Sequence, residues 1–432
     1  MRSNNHFAGV LVCGCAVAVM GTHKVVAQEA LRTALESDAA ARLRNQPVVS
    51  PPPGDVMRWG PATFDISLTY SLEATDNATY VETDRRKDLI QRPMLQVGVL
   101  YQLTSQSRLD FRTGIGYEDY IDNTVEDTFF ISPGSELALD VRVGNGVVTF
   151  FDRLDYSQET VNQGGVSGVG RFPQLENVVG LRSVWNFDKW VYHAGYSHLN
   201  VFIMEDSGAG TVDFSYLERA EEHFFGRAGY NFDQPVELGI EATGTLADYV
   251  QEVQRDYYAV SAGPYLTWTA ADALEITLRG GVVYTVFSPT NGFSGTNGFS
   301  EDEDLTSFYA GVLIDHRLTD HITYGFSATH DIRPAISLGS DYIETTRLEL
   351  DAEWRMTPNL TLTSVIFGEA AEEVGVAETE KYRRFGISVG PLYRVSRHFS
   401  CFARYAFNLR DSDEEGRSYR ENRAAIGVTY RF

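Results

Sequence analysis

Residues Arg347–Arg355 read RLELDAEWR. Leu348, Leu350, Ala352 and Trp354 share one parity, while Arg347, Glu349, Asp351, Glu353 and Arg355 share the other. Successive side chains of a strand point to opposite faces, so this is a strand with one apolar face and one wholly charged face. Burying such charges unpaired in a dry core costs several kcal/mol each. The charged face is therefore expected to meet water, and the apolar face needs another cover.

The same alternation fills the chain from Phe64 onward. Phe64, Ile66, Leu68, Tyr70 and Leu72 alternate with Asp65, Ser67, Thr69, Ser71 and Glu73. Leu95, Val97, Val99, Tyr101 and Leu103 continue it, followed by Leu109, Phe111, Thr113, Ile115 and Tyr117. The segment AAIGVTYRF (Ala424–Phe432) carries it to a terminal ring. Read throughout, the pattern predicts eighteen strands, at 63–76, 88–103, 107–121, 127–143, 147–157, 175–187, 189–203, 212–232, 236–250, 254–270, 273–288, 305–318, 321–333, 341–357, 359–371, 380–396, 398–411 and 417–432.

Short connections (TSQS, GNG, FDK, DQP, AAD, LTD, TPN, SRH) alternate with long polar or glycine-rich ones such as DNATYVETDRRK and SPTNGFSGTNGFSEDED. This order belongs to an up-and-down meander whose two rims face different environments. The strands exceed the roughly 9–11 residues that a tilted strand needs to cross a bilayer. A closed sheet of this size is too wide for side chains to fill. Its faces are expected to be reversed, apolar toward lipid and polar toward a watery lumen. The expected fold is all-β: a transmembrane up-and-down antiparallel β-barrel of eighteen strands, with long outer loops and short periplasmic turns.

Candidate lumen-lining residues are Arg279, Arg347, Glu349, Asp351, Glu353, Arg355, Arg404 and Arg423, with Glu237, Glu241 and Arg431 on similar rows. Arginines concentrate in the last three strands. Opposed to Glu349, Asp351 and Glu353 they would set up a transverse field that tunes selectivity; paired locally, they would only brace the wall. Trp185, Phe187, Trp190, Tyr192, Tyr230, Phe232, Trp268, Tyr430 and Phe432 fall near strand ends, where an interfacial girdle belongs.

Arg2, an apolar run from Phe7 to Met20 and small residues up to Ala27 have the order of a secretory signal peptide cleaved near Ala27. Lipidation at Cys15 is the alternative. Residues 28–60 are expected to form a periplasmic N-terminal segment. Leu31, Leu35, Ala39 and Leu43 share one face of a short helix, and PVVSPPPGD makes an extended linker. This segment is either a leader, or a small plug or docking helix. The barrel domain is then 61–432. The formal charge of −23, more acidic once Arg2 and Lys24 are removed, excludes nucleic acid as a partner. Cys13 and Cys15 leave with the signal, so Cys401 has no disulfide partner.

Several motifs read as bland. GGVSGVGRF (Gly164–Phe172) lacks the Lys-Ser/Thr pair and following helix of a phosphate loop. NGFSGTNGFS (Asn291–Ser300) repeats NGFS, as loop slack or a fold-in constriction. EDED (Glu301–Asp304) and DSDEEG (Asp411–Gly416) lack EF-hand spacing and read as solvated acidic loops, or as sites for divalent ions that bridge lipopolysaccharide. His193 and His198 fall on opposite faces of one strand. Ser197, His198 and Asn200 are sequence neighbours without a hydrolase geometry. No catalytic residue, cofactor or metal site is assigned, and no enzyme activity is expected.

The terminal aromatic–Arg–Phe, with Tyr430 and Phe432, resembles the C-terminal signal by which the barrel-assembly machinery recognises outer-membrane proteins. The segment Phe64–Phe432 resembles the bacterial outer-membrane β-barrel porin family, including relatives associated with exopolysaccharide loci. The resemblance rests on YSLEATDNATYVETDRRKDLI (Tyr70–Ile90) followed by LDFRTGIGYEDYIDN (Leu109–Asn123). It implies an outer-membrane pore without naming a solute. The expected role is passive diffusion of small hydrophilic solutes. The alternatives are an exopolysaccharide export conduit working with periplasmic polysaccharide-export proteins, or an occluded structural or adhesive barrel. Outer-membrane lipid and lipopolysaccharide are the expected surroundings.

Overall fold

The computed structural model describes residues 57–122, 127–157, 173–204, 214–232, 235–251, 254–271, 273–288, 304–335, 337, 340–375 and 380–432. The expected signal peptide at 1–27, residues 28–56, GGVSGVGRF, NGFSGTNGFS and most of EDED lie outside them. The strands are β1 Met57–Trp59, β2 Ala62–Thr75, β3 Asp88–Gln102, β4 Ser107–Tyr120, β5 Thr128–Val143, β6 Gly146–Ser157, β7 Gln174–Phe187, β8 Trp190–Ile203, β9 Arg219–Phe232 and β10 Val236–Tyr249. They continue as β11 Tyr257–Ala271, β12 Leu274–Phe287, β13 Leu305–Thr319, β14 Ile322–Pro334, β15 Ser340–Thr357, β16 Leu360–Gly375, β17 Glu380–Arg394, β18 Phe399–Ser412 and β19 Tyr419–Arg431.

Each strand from β2 to β19 pairs antiparallel with its sequence neighbour, and β19 pairs back onto β2, from Arg423↔Thr75 to Arg431↔Ser67. The result is a closed barrel of eighteen strands, with β1 folded as a small hairpin against β2. Closure leaves no sheet edge in the wall. At the seam, Arg431 makes a bidentate pair with Asp65, both contacts 2.7 Å, and the Phe432 amide donates to the Ile66 carbonyl at 2.9 Å.

Local chemistry sets the short turns. Gly144 and Asp188 open two-residue loops with φ of 54° each, the left-handed conformation whose twist suits a tight hairpin. The termini of the barrel lie at this short-turn rim, and the long connections lie at the other. One expected boundary shifts. The strand expected at 212–232 begins at Arg219 among the described residues. Instead Ser215–Leu217 form a 3-10 turn, and Phe214, Tyr216 and Leu217 tuck inside against Phe151, Val178, Leu199, Val201 and Ile203. Apolar alternation marks burial on one side, and here a coiled turn satisfies it inside the barrel.

The faces are reversed relative to a soluble protein. Ser67, Thr69, Ser71, Glu73 and Thr75 are buried on the inner face of β2, while Leu68 and Tyr70 are exposed on the outer face. Leu348, Leu350 and Trp354 stand outward in the same way. At the short-turn rim the outward aromatics form a girdle: Trp190 lies 6.0 Å from Tyr192 and 5.0 Å from Tyr230, which lies 4.9 Å from Phe232. A charge on such a wall costs about 2–4 kcal/mol at the bilayer midplane and about 0–1 near its interfaces, which is why the middle of the outer surface is apolar.

Candidate functional site: the charged lumen

Register brings a glycine of one strand directly beneath an inward aromatic of the next. Phe130 faces Gly116, Phe151 faces Gly180, Tyr265 faces Gly239, Tyr309 faces Gly281 and Phe367 faces Gly386. A Cβ on Gly386 would lie 2.2 Å from Phe367 Cε1, and one on Gly239 would lie 2.5 Å from Tyr265 Cε1. The missing side chain lets each ring lie down on the wall.

Each ring then carries a guanidinium. Arg227 lies 3.4 Å from the Tyr265 centroid, Arg347 4.1 Å and Arg384 5.5 Å from Phe367, and Arg153 4.7 Å and Arg182 5.0 Å from Phe151. Arg279 lies 5.7 Å from Tyr309 and Arg92 6.0 Å from Phe130. A planar guanidinium stacks on a ring while its edge N–H groups remain free to bind carboxylate. Those partners are present. Glu369 takes Arg347 at 3.1 Å and Arg384 at 3.3 Å, Glu241 takes Arg279 at 2.6 Å, Glu136 takes Arg153 at 2.8 Å and Glu118 takes Arg92 at 2.6 Å. The repeated unit is glycine, aromatic, arginine and carboxylate, stacked inward from the backbone. It holds long cationic side chains flat against the wall.

The sequence-derived lumen candidates all stand on inward rows. Arg404 and Arg423 meet on Glu73, at 3.3 and 2.9 Å. Arg347 also binds Glu349 at 2.6 Å, and Arg355 binds Glu353 at 3.3 Å. Arg279 stands apart with Glu241, and Asp351 lies opposite Gly325. Glu349, Asp351 and Glu353 thus do not face the arginines of β17–β19 as an opposed row. Described ion pairs join residues on one strand or on strands at most two apart, except Arg417–Glu380, from the β18–β19 connection to β17, and Arg255–Asp341 at 3.4 Å, from the β10–β11 connection to β15. Tyr430 and Phe432 are about half exposed on the outer surface at the short-turn rim.

Three described segments fold inward at the long-loop end. Tyr80, at φ 52° in the β2–β3 connection, is buried against Tyr419 and contacts Arg423 through its hydroxyl. The 214–217 turn fills the β6–β8 side. Ile332 packs on Val283 and Tyr309, and Ala335 on Ile343, Ala371 and Tyr382. Ser337 is held by Glu373, whose carboxylate accepts from its amide at 2.7 Å, and its carbonyl accepts from Gln254 at 3.1 Å. Charges near these segments are almost fully covered: Glu73, Glu373, Arg410 and Glu421 are at most 1% exposed. Toward the short-turn rim they open, with side-chain exposure of 72% for Arg112 and 29% for Arg355.

Sequence reading assigned aromatics to the girdle and missed the inward rings. The available signal was an aromatic on a charged row, but register is needed to see the glycine beneath it. Ser197 is buried inward while His198 faces outward to Glu222 at 2.8 Å, so the Ser-His-Asn neighbours are split across the wall. Among the described residues no group of three His, Cys, Asp or Glu side chains is placed to hold a metal ion.

No protein-family model and no curated protein matches this chain. Among solved structures it is similar to OccK2 (OpdF) of Pseudomonas aeruginosa, with a TM-score of 0.46 and 12% identity over 85% of this chain and 98% of that one. It is also similar to Pseudomonas aeruginosa OpdK, solved with vanillate, at 0.45 and 11% over 86% and 99%. Acinetobacter baumannii OccAB3 gives 0.44 and 11% over 85% and 99%. The strand pairing described above establishes the fold independently of these likenesses.

Proposed function

We propose that the chain is an outer-membrane channel for passive diffusion of small hydrophilic solutes, with the short-turn rim in the periplasm. The observation that carries this is the reversed barrel: a charged inner face, an apolar outer face with an aromatic girdle, and no open edge. The lumen is a charged vestibule at the periplasmic side that leads to a narrowed outer mouth. Membership in the β-barrel porin group is consistent with this architecture. Tyr430 and Phe432 would serve as the contact for the assembly machinery, and lipopolysaccharide would surround the outer rim.

The exopolysaccharide conduit has less support. Sugars stack on free ring faces, whereas Tyr265 and Tyr309 are buried between glycine and guanidinium. The occluded barrel draws on one observation, the inward-folded outer segments. Single-channel recording of the refolded mature protein in a planar bilayer decides among them. Stable open steps with little block by oligosaccharides support diffusion. Long sugar-dependent blocks move the assignment to the conduit. Folded, inserted protein without conductance leaves the occluded barrel.

A further inference from the structure

The middle of β6 breaks the apolar rule of the outer surface. Its alternation turns Phe151 and Arg153 inward, so Asp152 points outward and is exposed. Its outward neighbours are Phe150 and Leu154 along β6, and Leu137 on β5 and Val179 on β7 across the ladders. All four are exposed apolar side chains, so the carboxylate stands inside the lipid-facing band. Other outward charges stand near the long connections: Asp119, Asp248, Lys381 and Asp411 are each one residue from a strand end, and Arg383 is three. Among the described residues, Asp152 has no cation beside it and accepts only from Asn177 Nδ2, at 2.7 Å. Polar side chains continue across the next strands. Asn200 on β8 lies opposite Asn177, and His198 lies opposite Glu222 on β9. Glu222 takes His198 Nδ1 at 2.8 Å and the Tyr196 hydroxyl at 2.6 Å, which leaves His198 Nε2 without a partner among the described residues.

We propose that this patch is a membrane-embedded contact between two copies of the chain, joined across a twofold axis that runs along β7. The inference rests on the outer-membrane placement above. Acyl chains offer a carboxylate neither a hydrogen-bond donor nor a counter-charge, so a polar group at this depth marks a protein-covered surface. Two barrels inserted in the same sense can share a twofold axis only along the membrane normal. Such an axis at β7 sets β6 of one protomer against β8 of its partner. Asp152 and His198 occupy one register row, on either side of Val179. The contact therefore turns each Asp152 toward the partner's His198, whose Nε2 can donate to it while Nδ1 stays with Glu222. Asn200 adds an amide that both donates and accepts, so the patch is complementary to itself. Phe150, Leu154, Phe202 and Phe224 frame it with exposed apolar surface. A second copy supplies both the donor and the acceptor that the patch leaves open.

The test uses the full mature barrel extracted from membranes in mild detergent. Native mass spectrometry reads the oligomeric state, and oxidative cross-linking in the membrane reads the face that is used. Wild type is expected to be dimeric. In a Cys401→Ser background, Val179→Cys at the axis should cross-link to a dimer on denaturing gels, and the equally exposed Leu348→Cys on β15 should not. Asp152→Leu, which presents a side chain that lipid accepts, should weaken the dimer roughly tenfold and leave insertion and conductance unchanged. A monomeric wild type overturns the proposal, whether bare or with phospholipid retained at Asp152. So does a dimer that cross-links through Leu348 and not Val179, or an Asp152→Leu variant that dimerises as tightly as wild type. Failure of the wild type to insert into bilayers overturns the membrane placement itself, an outcome separable from insertion as a monomer.

Discussion

The long-loop and short-turn halves of the barrel interior carry similar residue types and treat them differently. Near the outer mouth, Glu369, Arg384 and Arg410 are buried, ring-stacked and cross-paired. Near the short-turn rim, Asp65 with Arg431 and Glu353 with Arg355 make ion pairs that remain open to solvent. The first set is packed into the wall and held by neighbours; the second keeps its charge accessible to water. Solvent access sets the energetic weight of an ion pair here more than its chemical type does.

That contrast is sharpest at Glu369. Glu369→Leu removes the buried carboxylate that Arg347 and Arg384 share, while Arg347 keeps its contact with Glu349; removing one side of such a buried pair costs about 3–5 kcal/mol. The expected result is a marked drop in the temperature at which the folded band is lost in semi-native electrophoresis. Glu353→Gln at the open half should change stability by less than about 1 kcal/mol. Equal effects at the two sites would erase the distinction.

A smaller effect is expected at Gly386. Gly386→Val places a Cβ on the Phe367 ring, which must lift and push Arg347 and Arg384 toward the lumen axis. Overpacking of this kind costs about 1–3 kcal/mol, and single-channel conductance should fall. Unchanged conductance would mean that the stacked units do not border the narrowest path.

Next comes the mouth. Arg255→Ala removes the 3.4 Å contact with Asp341, which ties the β10–β11 connection to the start of β15. Conductance or its fluctuations should rise with little loss of stability, and a quiet, unchanged channel would place the constriction elsewhere. The smallest effect belongs to Arg112, whose side chain is 72% exposed to the vestibule. Arg112→Glu should shift the reversal potential toward cations in dilute salt, and the shift should vanish near 1 M, where the Debye length is about 3 Å.

Much of this was legible in the chain. Parity alone in RLELDAEWR separates Leu348 and Leu350 from Arg347 and Glu349, and connection length separates the two rims. The outward position of Arg383 and Lys381 was open to the same parity rule but was hidden among the other arginines of the last strands. Gly386 beneath Phe367 was not legible, because its place depends on the offset between β16 and β17.

The sequence by itself determined the strands, their two faces, the short and long rims and the reversed polarity. These follow from a two-residue period and from turn residues, both local properties of the chain. Only the tertiary structure decided which ring lies on which glycine and that Glu73 receives Arg404 from 331 residues away. It also decided that the segments around Tyr80, Tyr216 and Ser337 fold inward. Those contacts depend on inter-strand register and barrel closure, which place residues remote in sequence within reach of one another.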